Sequence, residues 1–164
     1  MRKNKVFNLA MSGMMAALVF VATWFIKLPV SLTQGYIHLG DGFILLGAAL
    51  LGNIAVPAAA VGSMLADLLG GYTVYCLPTF LIKGAVAAVA VQAFRHPKSH
   101  FSRILWMSLA ELVMVAGYFA AEWLILGYGL AAALSAVLPN LVQGLSGVII
   151  GAVFAPILLR QFKR

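Results

Sequence analysis

The sequence predicts an all-α integral membrane protein, a bundle of six transmembrane helices with both termini on the cytoplasmic side. Three observations lead to this fold class. The 164 residues are 63% hydrophobic and only 9% charged, whereas a soluble domain carries about 25% charged residues. The apolar stretches are long enough to cross about 30 Å of hydrocarbon. Most Lys and Arg residues fall at the chain ends or in one short loop between these stretches.

The apolar stretches and the breaks between them place the helices in order. We expect one membrane domain over residues 1–164, with helices over about 6–27, 41–52, 54–69, 77–94, 102–126 and 131–160. The basic start and the following apolar run resemble a signal peptide, but residues 6–26 can span a bilayer, so we interpret them as a retained first helix. Glycine-rich turns at 70–71 and 127–129 separate later helices. Pro139 and Pro156 are expected to kink the sixth helix.

The basic residues predict the orientation of this bundle. They form three clusters: Arg2, Lys3 and Lys5; Arg95, Lys98 and Arg103; and Arg160, Lys163 and Arg164. Six crossings place all three clusters on one side, and the loops of the other side carry only Lys27. Because positively charged loops stay in the cytoplasm, the clustered side is predicted to be cytoplasmic. The clusters suit membrane anchors better than a nucleic-acid surface.

Five ionisable residues lie in or against apolar sequence, where each costs roughly 2.5–3.5 kcal/mol on insertion scales. They are Asp41, Asp67, Lys83, Glu111 and Glu122. With the predicted orientation, most of the strongly polar residues within the helices fall in the outer half of the bundle. This set comprises Asp41, Asp67, Lys83, Tyr118, Glu122, Asn140 and Gln143. The sequence therefore predicts a polar cup that opens to the outside.

Structural roles compete with ligand binding for the charged residues. Asp41 suits a helix N-cap equally well, because a carboxylate is favoured there. Asp67 and Lys83 suit a structural ion pair between the third and fourth helices equally well. For Glu111, which lies deeper, a structural hydrogen bond is favoured over ligand contact.

Amide and aromatic residues are open to two interpretations as well. Asn140 and Gln143 face one way on the sixth helix and either link helices or bind a ligand. Tyr36, Tyr72 and Tyr75 suit an interfacial aromatic belt, or they cover a flat heteroaromatic ring. His38 lies in the same outer region.

Enzyme motifs are missing from the sequence. It contains no HExxH, no GxSxG and no P-loop. One cysteine, Cys76, and three scattered histidines make a catalytic metal site unexpected. We predict no enzymatic activity, no cofactor and no metal.

The first helix carries two pairs of small residues at a spacing of four. Ser12 and Gly13 precede Ala16 and Ala17 by one turn. Such pairs let another helix approach closely, so they predict either packing within the bundle or the docking of a partner.

Four stretches resemble one transporter family. They are Gly35-Tyr-Ile-His-Leu-Gly-Asp41, Gly62-Ser-Met-Leu-Ala-Asp67-Leu-Leu-Gly-Gly-Tyr72, Pro78-Thr-Phe-Leu-Ile-Lys83-Gly84 and Pro139-Asn140-Leu-Val-Gln143-Gly144. In their order and helix placement they resemble the substrate-binding S component of energy-coupling factor (ECF) vitamin transporters. The resemblance is to the riboflavin-type branch, which includes pyridoxine and hydroxymethylpyrimidine binders.

The resemblance implies a prokaryotic, multi-pass cell-membrane protein that captures a vitamin outside and works with a transmembrane coupling subunit (EcfT) and two ATPase subunits (EcfA and its paralogue). Family members dock through an Ala-xxx-Ala pattern on the first helix, for which Ser12, Gly13, Ala16 and Ala17 form a small-residue variant. The expected substrate-binding residues are His38, Tyr72, Tyr75, Lys83, Tyr118, Glu122, Asn140 and Gln143. Pyridoxine or hydroxymethylpyrimidine is the favoured ligand, and riboflavin remains an alternative. A stand-alone proton-coupled transporter, relaying protons through Asp67, Glu111 or Glu122, and a non-transporting scaffold are the competing functions.

Overall fold

The computed structural model describes residues 5–25, 27–29, 36–95 and 99–162. These residues form six α-helices: α1 (Lys5–Phe25), α2 (Gly40–Leu51), α3 (Ala55–Gly70), α4 (Cys76–Arg95), α5 (His100–Ala120) and α6 (Leu130–Phe162). A five-residue π-helical segment, Ala121–Ile125, extends α5. Counted with that segment, the helix bounds differ from the sequence-based ones by at most two residues.

Two short strands follow α1 where the sequence indicates a loop. β1 (Leu28–Pro29) pairs antiparallel with β2 (Tyr36–Ile37), and Leu28 is the partner of Ile37. Leu28 precedes a proline and therefore favours extended backbone. The first helix ends at Phe25 instead of continuing to residue 27, which leaves Lys27 outside the helix.

Two glycines with positive φ end the helices α2 and α3. Gly52 follows α2 with φ 59°, and Gly71 follows α3 with φ 83°, conformations that other residues rarely adopt. The residues around Gly52 line a groove together with Val91 and Arg95 at the end of α4. The start of α2 lies instead beside Lys83, two turns into α4. Thus α2 runs alongside α4, and α3 returns in the opposite direction.

The helices form a closed ring in which each packs against its neighbours. Its order is α1, α3, α4, α5, α6, α2 and back to α1, and α2 also contacts α4. The interior is filled by small and aliphatic side chains such as Val19, Leu45, Val86 and Met107. Small residues allow the close helix approach that membrane bundles need.

The outer surface of the ring is apolar. In the described part of the chain, five helical stretches are long and apolar enough to cross a membrane. One of them, Gly40–Gly70, has 31 residues and contains both α2 and α3. Large apolar side chains such as Phe25, Leu124 and Leu145 face outward and are exposed, as expected where lipid is the solvent. The number of crossings and the side of the termini remain predictions.

Several sequence-based predictions fall on residues outside the described ranges. These are Arg2, Lys3, Lys98, Lys163 and Arg164 of the basic clusters, and Gly35 of the first family-like stretch. The described members of the clusters are Lys5, Arg95, Arg103 and Arg160, which lie at or near helix ends.

Candidate functional site

A narrow cavity opens between the helices near the ends that carry Tyr36 and Tyr75. Twelve described residues line it: Thr23, Tyr36, His38, Ser63, Asp67, Tyr75, Thr79, Tyr118, Glu122, Ala136, Asn140 and Gln143. The cavity and its mouth enclose about 460 Å³ outside protein atoms, but only about 30 Å³ is open to the centres of water molecules. One water needs about 10–15 Å³ on that measure, so a ring-sized ligand requires side chains to move apart.

One end of the cavity lies between α1 and α3, and three of its polar atoms have no partner. Thr23 Oγ1, Ser63 Oγ and Asp67 Oδ2 are buried without a hydrogen bond to any described residue. Ser63 and Asp67 are one turn apart on α3 and therefore share a face. The other oxygen of Asp67, Oδ1, accepts a hydrogen bond of 2.6 Å from the Tyr36 hydroxyl. We call Thr23, Ser63 and Asp67 the α1–α3 subsite.

Aromatic rings form two walls of the cavity. On one side the Tyr36 ring lies 4.5 Å from the Tyr72 ring and 5.5 Å from the His38 ring, measured between centroids. On the other side the Tyr75 and Tyr118 rings are 6.3 Å apart, and the Tyr118 hydroxyl is 3.0 Å from Thr79 Oγ1. Rings at these separations attract one another.

Lys27 packs against the aromatic wall that contains Tyr36 and Tyr72. Its ammonium lies 4.5 Å from the Trp24 ring centroid, 4.7 Å from that of Tyr36 and 5.1 Å from that of Tyr72. A cation within about 6 Å of a ring face is attracted to it. Partial burial lowers the pKa of Lys27, and the nearby charge of Asp67 opposes that shift.

Two polar side chains at and just after β2, Tyr36 and His38, are held in their neutral forms. Burial, followed by the charge of Asp67 and the hydrogen bond to it, raises the pKa of Tyr36, so its hydroxyl keeps the proton that it donates. Burial, with added repulsion from Lys83, lowers the pKa of His38 to about 3. The His38 Nδ1 accepts a hydrogen bond from the Gly40 backbone N–H. The neutral ring therefore carries its proton on Nε2.

A buried ion pair lies next to the cavity. Lys83, fully buried, donates to Asp41 Oδ1 at 2.5 Å and lies 3.1 Å from the Met114 sulfur. The predicted pairing of Lys83 with Asp67 is therefore wrong, because α2 and not α3 brings its carboxylate to the lysine. The N-cap interpretation of Asp41 is also wrong, since α2 begins at Gly40 after a cap position at Leu39.

Gln143 connects this ion pair to the backbone of His38, between β2 and α2. Its Nε2 donates to Asp41 Oδ2 at 2.6 Å, and its Oε1 accepts from the His38 backbone N–H at 2.8 Å. Its amide is therefore largely used within the protein, although Gln143 also lines the cavity. Asn140, one turn earlier on α6, lines the cavity and makes no hydrogen bond to another described residue.

Glu122 enters the cavity from the π-helical segment. The Tyr75 hydroxyl donates to Glu122 Oε1 at 2.9 Å. The backbone carbonyl of Glu122 accepts from the N–H of Tyr128. Single π-helical turns occur frequently at functional sites, and this one orients an ionisable side chain toward the interior.

Glu111 lies apart from the cavity. It lines a separate groove between α5 and α6, and both of its carboxyl oxygens are buried without a partner among the described residues. The structural hydrogen bond predicted for Glu111 is therefore not formed. Gly144 and Gly147 give its side chain room against α6.

Six of the eight predicted substrate-binding residues line one cavity: His38, Tyr75, Tyr118, Glu122, Asn140 and Gln143. Lys83 and Tyr72 do not line it. Lys83 is linked to Gln143 through Asp41, and the Tyr72 ring packs against the Tyr36 ring. Sequence reasoning missed Thr23, Ser63 and Thr79 as lining residues, and left Tyr36 and Asp67 out of the predicted binding set. Four of these five, Tyr36, Ser63, Asp67 and Thr79, lie inside the family-like stretches, so a signal for them was present.

The small residues of α1 face two ways. A Cβ on Gly62 of α3 would collide with the Ala16 carbonyl oxygen, so the Ala16 side of α1 packs closely on α3. Gly13 and Ala17 are exposed instead, and nothing lies within 4 Å of a Cβ placed on Gly13. Only this second pair is available to a partner.

Comparisons with known proteins agree with one another. The family model "ECF-type riboflavin transporter, S component" matches residues 3–161. An uncharacterized protein of Pyrococcus woesei is 36% identical over 145 residues, which cover 87% of this chain and 95% of that protein. A solved S component of a bacterial ECF transporter superposes with a TM-score of 0.77 at 20% identity, covering 98% of this chain and all of the other. That structural similarity shows the fold.

Proposed function

The chain belongs to the S component family of ECF-type transporters, and we propose that it captures a small heteroaromatic B-vitamin or vitamin precursor for an ATPase-driven importer. Its family and fold are those of multi-pass membrane transporter subunits, not of enzymes. The observation that carries the proposal is the cavity, a buried set of hydroxyl, carboxyl, amide and aromatic groups inside an otherwise apolar bundle. Polar and ionisable groups inside a membrane bundle are costly, and for that reason their presence indicates a functional site.

The lining favours a small planar ligand with polar substituents. Tyr36 and His38 on one side and Tyr75 and Tyr118 on the other offer flat faces for a ring. Asn140 offers an amide that no described residue uses. Because the cavity is narrow, a single ring such as pyridoxine or hydroxymethylpyrimidine needs less opening than riboflavin does. Riboflavin remains an alternative ligand.

The orientation supports capture from outside. We place six crossings in the membrane, with both termini and the loop before α5 in the cytoplasm, because the described basic residues Lys5, Arg95, Arg103 and Arg160 lie at or near those helix ends. The cavity then lies in the outer half of the bundle. Gly13 and Ala17 on α1 are the proposed contacts to the transmembrane coupling subunit, which two ATPase subunits would drive.

Ligand binding to the purified chain tests the proposal. Tryptophan quenching and calorimetry should detect a B-vitamin or pyrimidine precursor that binds below about 1 μM. Asn140→Ala should weaken that binding about threefold to tenfold without lowering the melting temperature, since it removes an unused amide. Gln143→Ala should lower both the ligand affinity and the melting temperature, because the Gln143 amide links Asp41 to His38. Absence of any such ligand would contradict the proposal.

Glu111 supports a second candidate, a stand-alone proton-coupled transporter. A buried carboxyl group without a hydrogen-bond partner is a place where a proton can be bound and released inside a membrane. This candidate predicts ligand uptake into vesicles that hold this chain alone, driven by a pH gradient. The first proposal predicts uptake only when the coupling subunit and ATPases are present.

A further inference from the structure

The α1–α3 subsite is a group of buried polar atoms whose hydrogen bonds are not completed by any residue that the structure describes. Thr23 Oγ1, Ser63 Oγ and Asp67 Oδ2 line the same cavity and have no partner among the described residues. A buried polar atom without a partner costs about 1–3 kcal/mol. Three such atoms, which two packed helices supply to one cavity, indicate a site that a ligand completes.

The chemistry of these atoms specifies what the ligand presents. The free oxygen of Asp67 is an acceptor, and its second oxygen is already bound by the Tyr36 hydroxyl. The two hydroxyl groups each donate and accept. A ligand group that satisfies all three must therefore supply at least one N–H or O–H to the carboxylate.

The charges around the cavity point the same way. Of the twelve described lining residues, Asp67 and Glu122 carry carboxyl groups and none is Lys or Arg. Lys83 is paired with Asp41 away from the lining, and Lys27 is surrounded by three aromatic rings. An anionic group beside Asp67 would therefore meet a like charge in a buried place, and the nearest described cations, Lys27 and Lys83, are already held by aromatic rings and by Asp41.

We propose that Thr23, Ser63 and Asp67 form a specificity subsite for a neutral or cationic donor on the ligand, such as an amino group, a hydroxymethyl group or a protonated ring nitrogen. The subsite excludes ligands that carry a carboxylate or a phosphate at that position. This inference rests on the proposed function, since it assigns the ligand class of the same cavity. It makes Asp67 the residue that distinguishes a free vitamin from its phosphate ester.

Matched ligand pairs test the exclusion. The probes are pyridoxine and pyridoxine 5′-phosphate, hydroxymethylpyrimidine and its phosphate ester, and riboflavin and its 5′-phosphate, each titrated into the purified full chain by calorimetry. We expect the member without phosphate to bind at least about 100-fold more tightly, because the ester places a like charge in a buried site. Equal binding within about threefold for a pair would overturn the inference and leave the proposed function standing. Absence of binding by all six compounds would overturn both.

Variants of the subsite test which residues are responsible. Asp67→Asn keeps an oxygen for Tyr36 and replaces the free acceptor by an NH₂ group, so we expect about 10- to 100-fold weaker binding of the preferred ligand. Ser63→Ala removes a hydroxyl that makes no hydrogen bond to a described residue, so we expect about threefold to tenfold weaker binding with an unchanged melting temperature. If Asp67→Asn fails to fold, the affinity of Ser63→Ala alone tests whether the subsite binds the ligand.

Glu111→Gln is the matched control, since it neutralises another buried carboxyl group that lines a different groove. We expect it to keep both the affinity and the preference over the phosphate ester. Affinities of Asp67→Asn and Ser63→Ala within about twofold of the unmodified protein would overturn the role of the subsite. An equal loss of ligand affinity in Glu111→Gln would also overturn the role of the subsite.

Discussion

At the scale of single residues, the members of the buried Lys83–Asp41 ion pair depend on each other. Among the described residues, the other side chains within hydrogen-bond distance of the pair are Gln143 and Met114. Taking one member away leaves an uncompensated buried charge, which costs more than the pair itself contributes. The pair therefore fixes the position of α2 against α4 at a level beside the cavity.

We predict that Lys83→Met lowers the free energy of unfolding by about 3–5 kcal/mol, because Asp41 is then left buried and unpaired. Adding Asp41→Asn should recover part of that loss, since the asparagine oxygen still accepts from Gln143. The measurement is a double-mutant cycle from thermal or denaturant unfolding in detergent. Lys5→Met, an exposed change on α1, is the control and should change stability by less than about 0.5 kcal/mol. Additive single effects would contradict the coupling.

The pairing of these residues also shows where sequence reasoning ends. That Lys83 lies within an apolar helix and needs a partner follows from composition and insertion cost. Which carboxylate it meets depends on the rotation and depth of each helix, and these are set by packing of residues such as Gly42 and Gly147 against neighbours. From the sequence, Asp41 and Asp67 are both possible partners of Lys83, and only the three-dimensional arrangement distinguishes them.

At the scale of elements, helix bounds could be predicted to within two residues because each apolar stretch carries its own hydropathy and its own turn residues. The lining from α1 and α3 was harder to predict. Thr23 continues a buried stripe with Met15 and Val19, but a single hydroxyl costs little in an apolar helix and gives a weak signal. The tyrosines and amides were found because they are rare and strongly polar.

The contact of α1 with α3 makes a prediction at this scale. A Cβ on Gly62 would collide with the backbone oxygen of Ala16 and lie 3.1 Å from its Cα, and backbone atoms cannot move aside as a flexible side chain can. Gly62→Ala should therefore lower stability by about 1–3 kcal/mol and weaken ligand binding, because Ser63 and Thr23 separate with the helices. Melting temperature and ligand affinity measure the two effects.

Gly13→Ala is the matched control for this prediction. It is the same substitution within a helix, and nothing lies within 4 Å of the added Cβ. It should leave the melting temperature unchanged or raise it slightly, since alanine favours helix over glycine by about 1 kcal/mol. If Gly62→Ala is tolerated as well as Gly13→Ala, close packing does not determine the α1–α3 contact.

At the scale of the whole molecule, polar groups of two kinds are segregated along the bundle. The cavity carries carboxyl, amide and phenol groups near one end, and the described basic residues other than Lys27 and Lys83 lie near the opposite helix ends. Between them the interior is closed by aliphatic and small side chains. A ligand bound in the cavity therefore has no polar path through the described bundle in this conformation. If the orientation proposed above is correct, we expect release on the cytoplasmic side to require a large movement of the protein that the proposed coupling subunit drives.

The exposed small residues of α1 are where we expect that partner to bind. Replacing both Gly13 and Ala17 by leucine should keep the fold and keep ligand affinity within about threefold, because neither change meets the bundle interior. It should reduce copurification with the coupling subunit and ATPases by about tenfold, since close helix approach depends on small residues. Ala116→Leu, an exposed substitution of the same kind on α5, should leave copurification intact. If the α1 double variant still assembles normally while Ala116→Leu does not, then α5 and not α1 is the docking face.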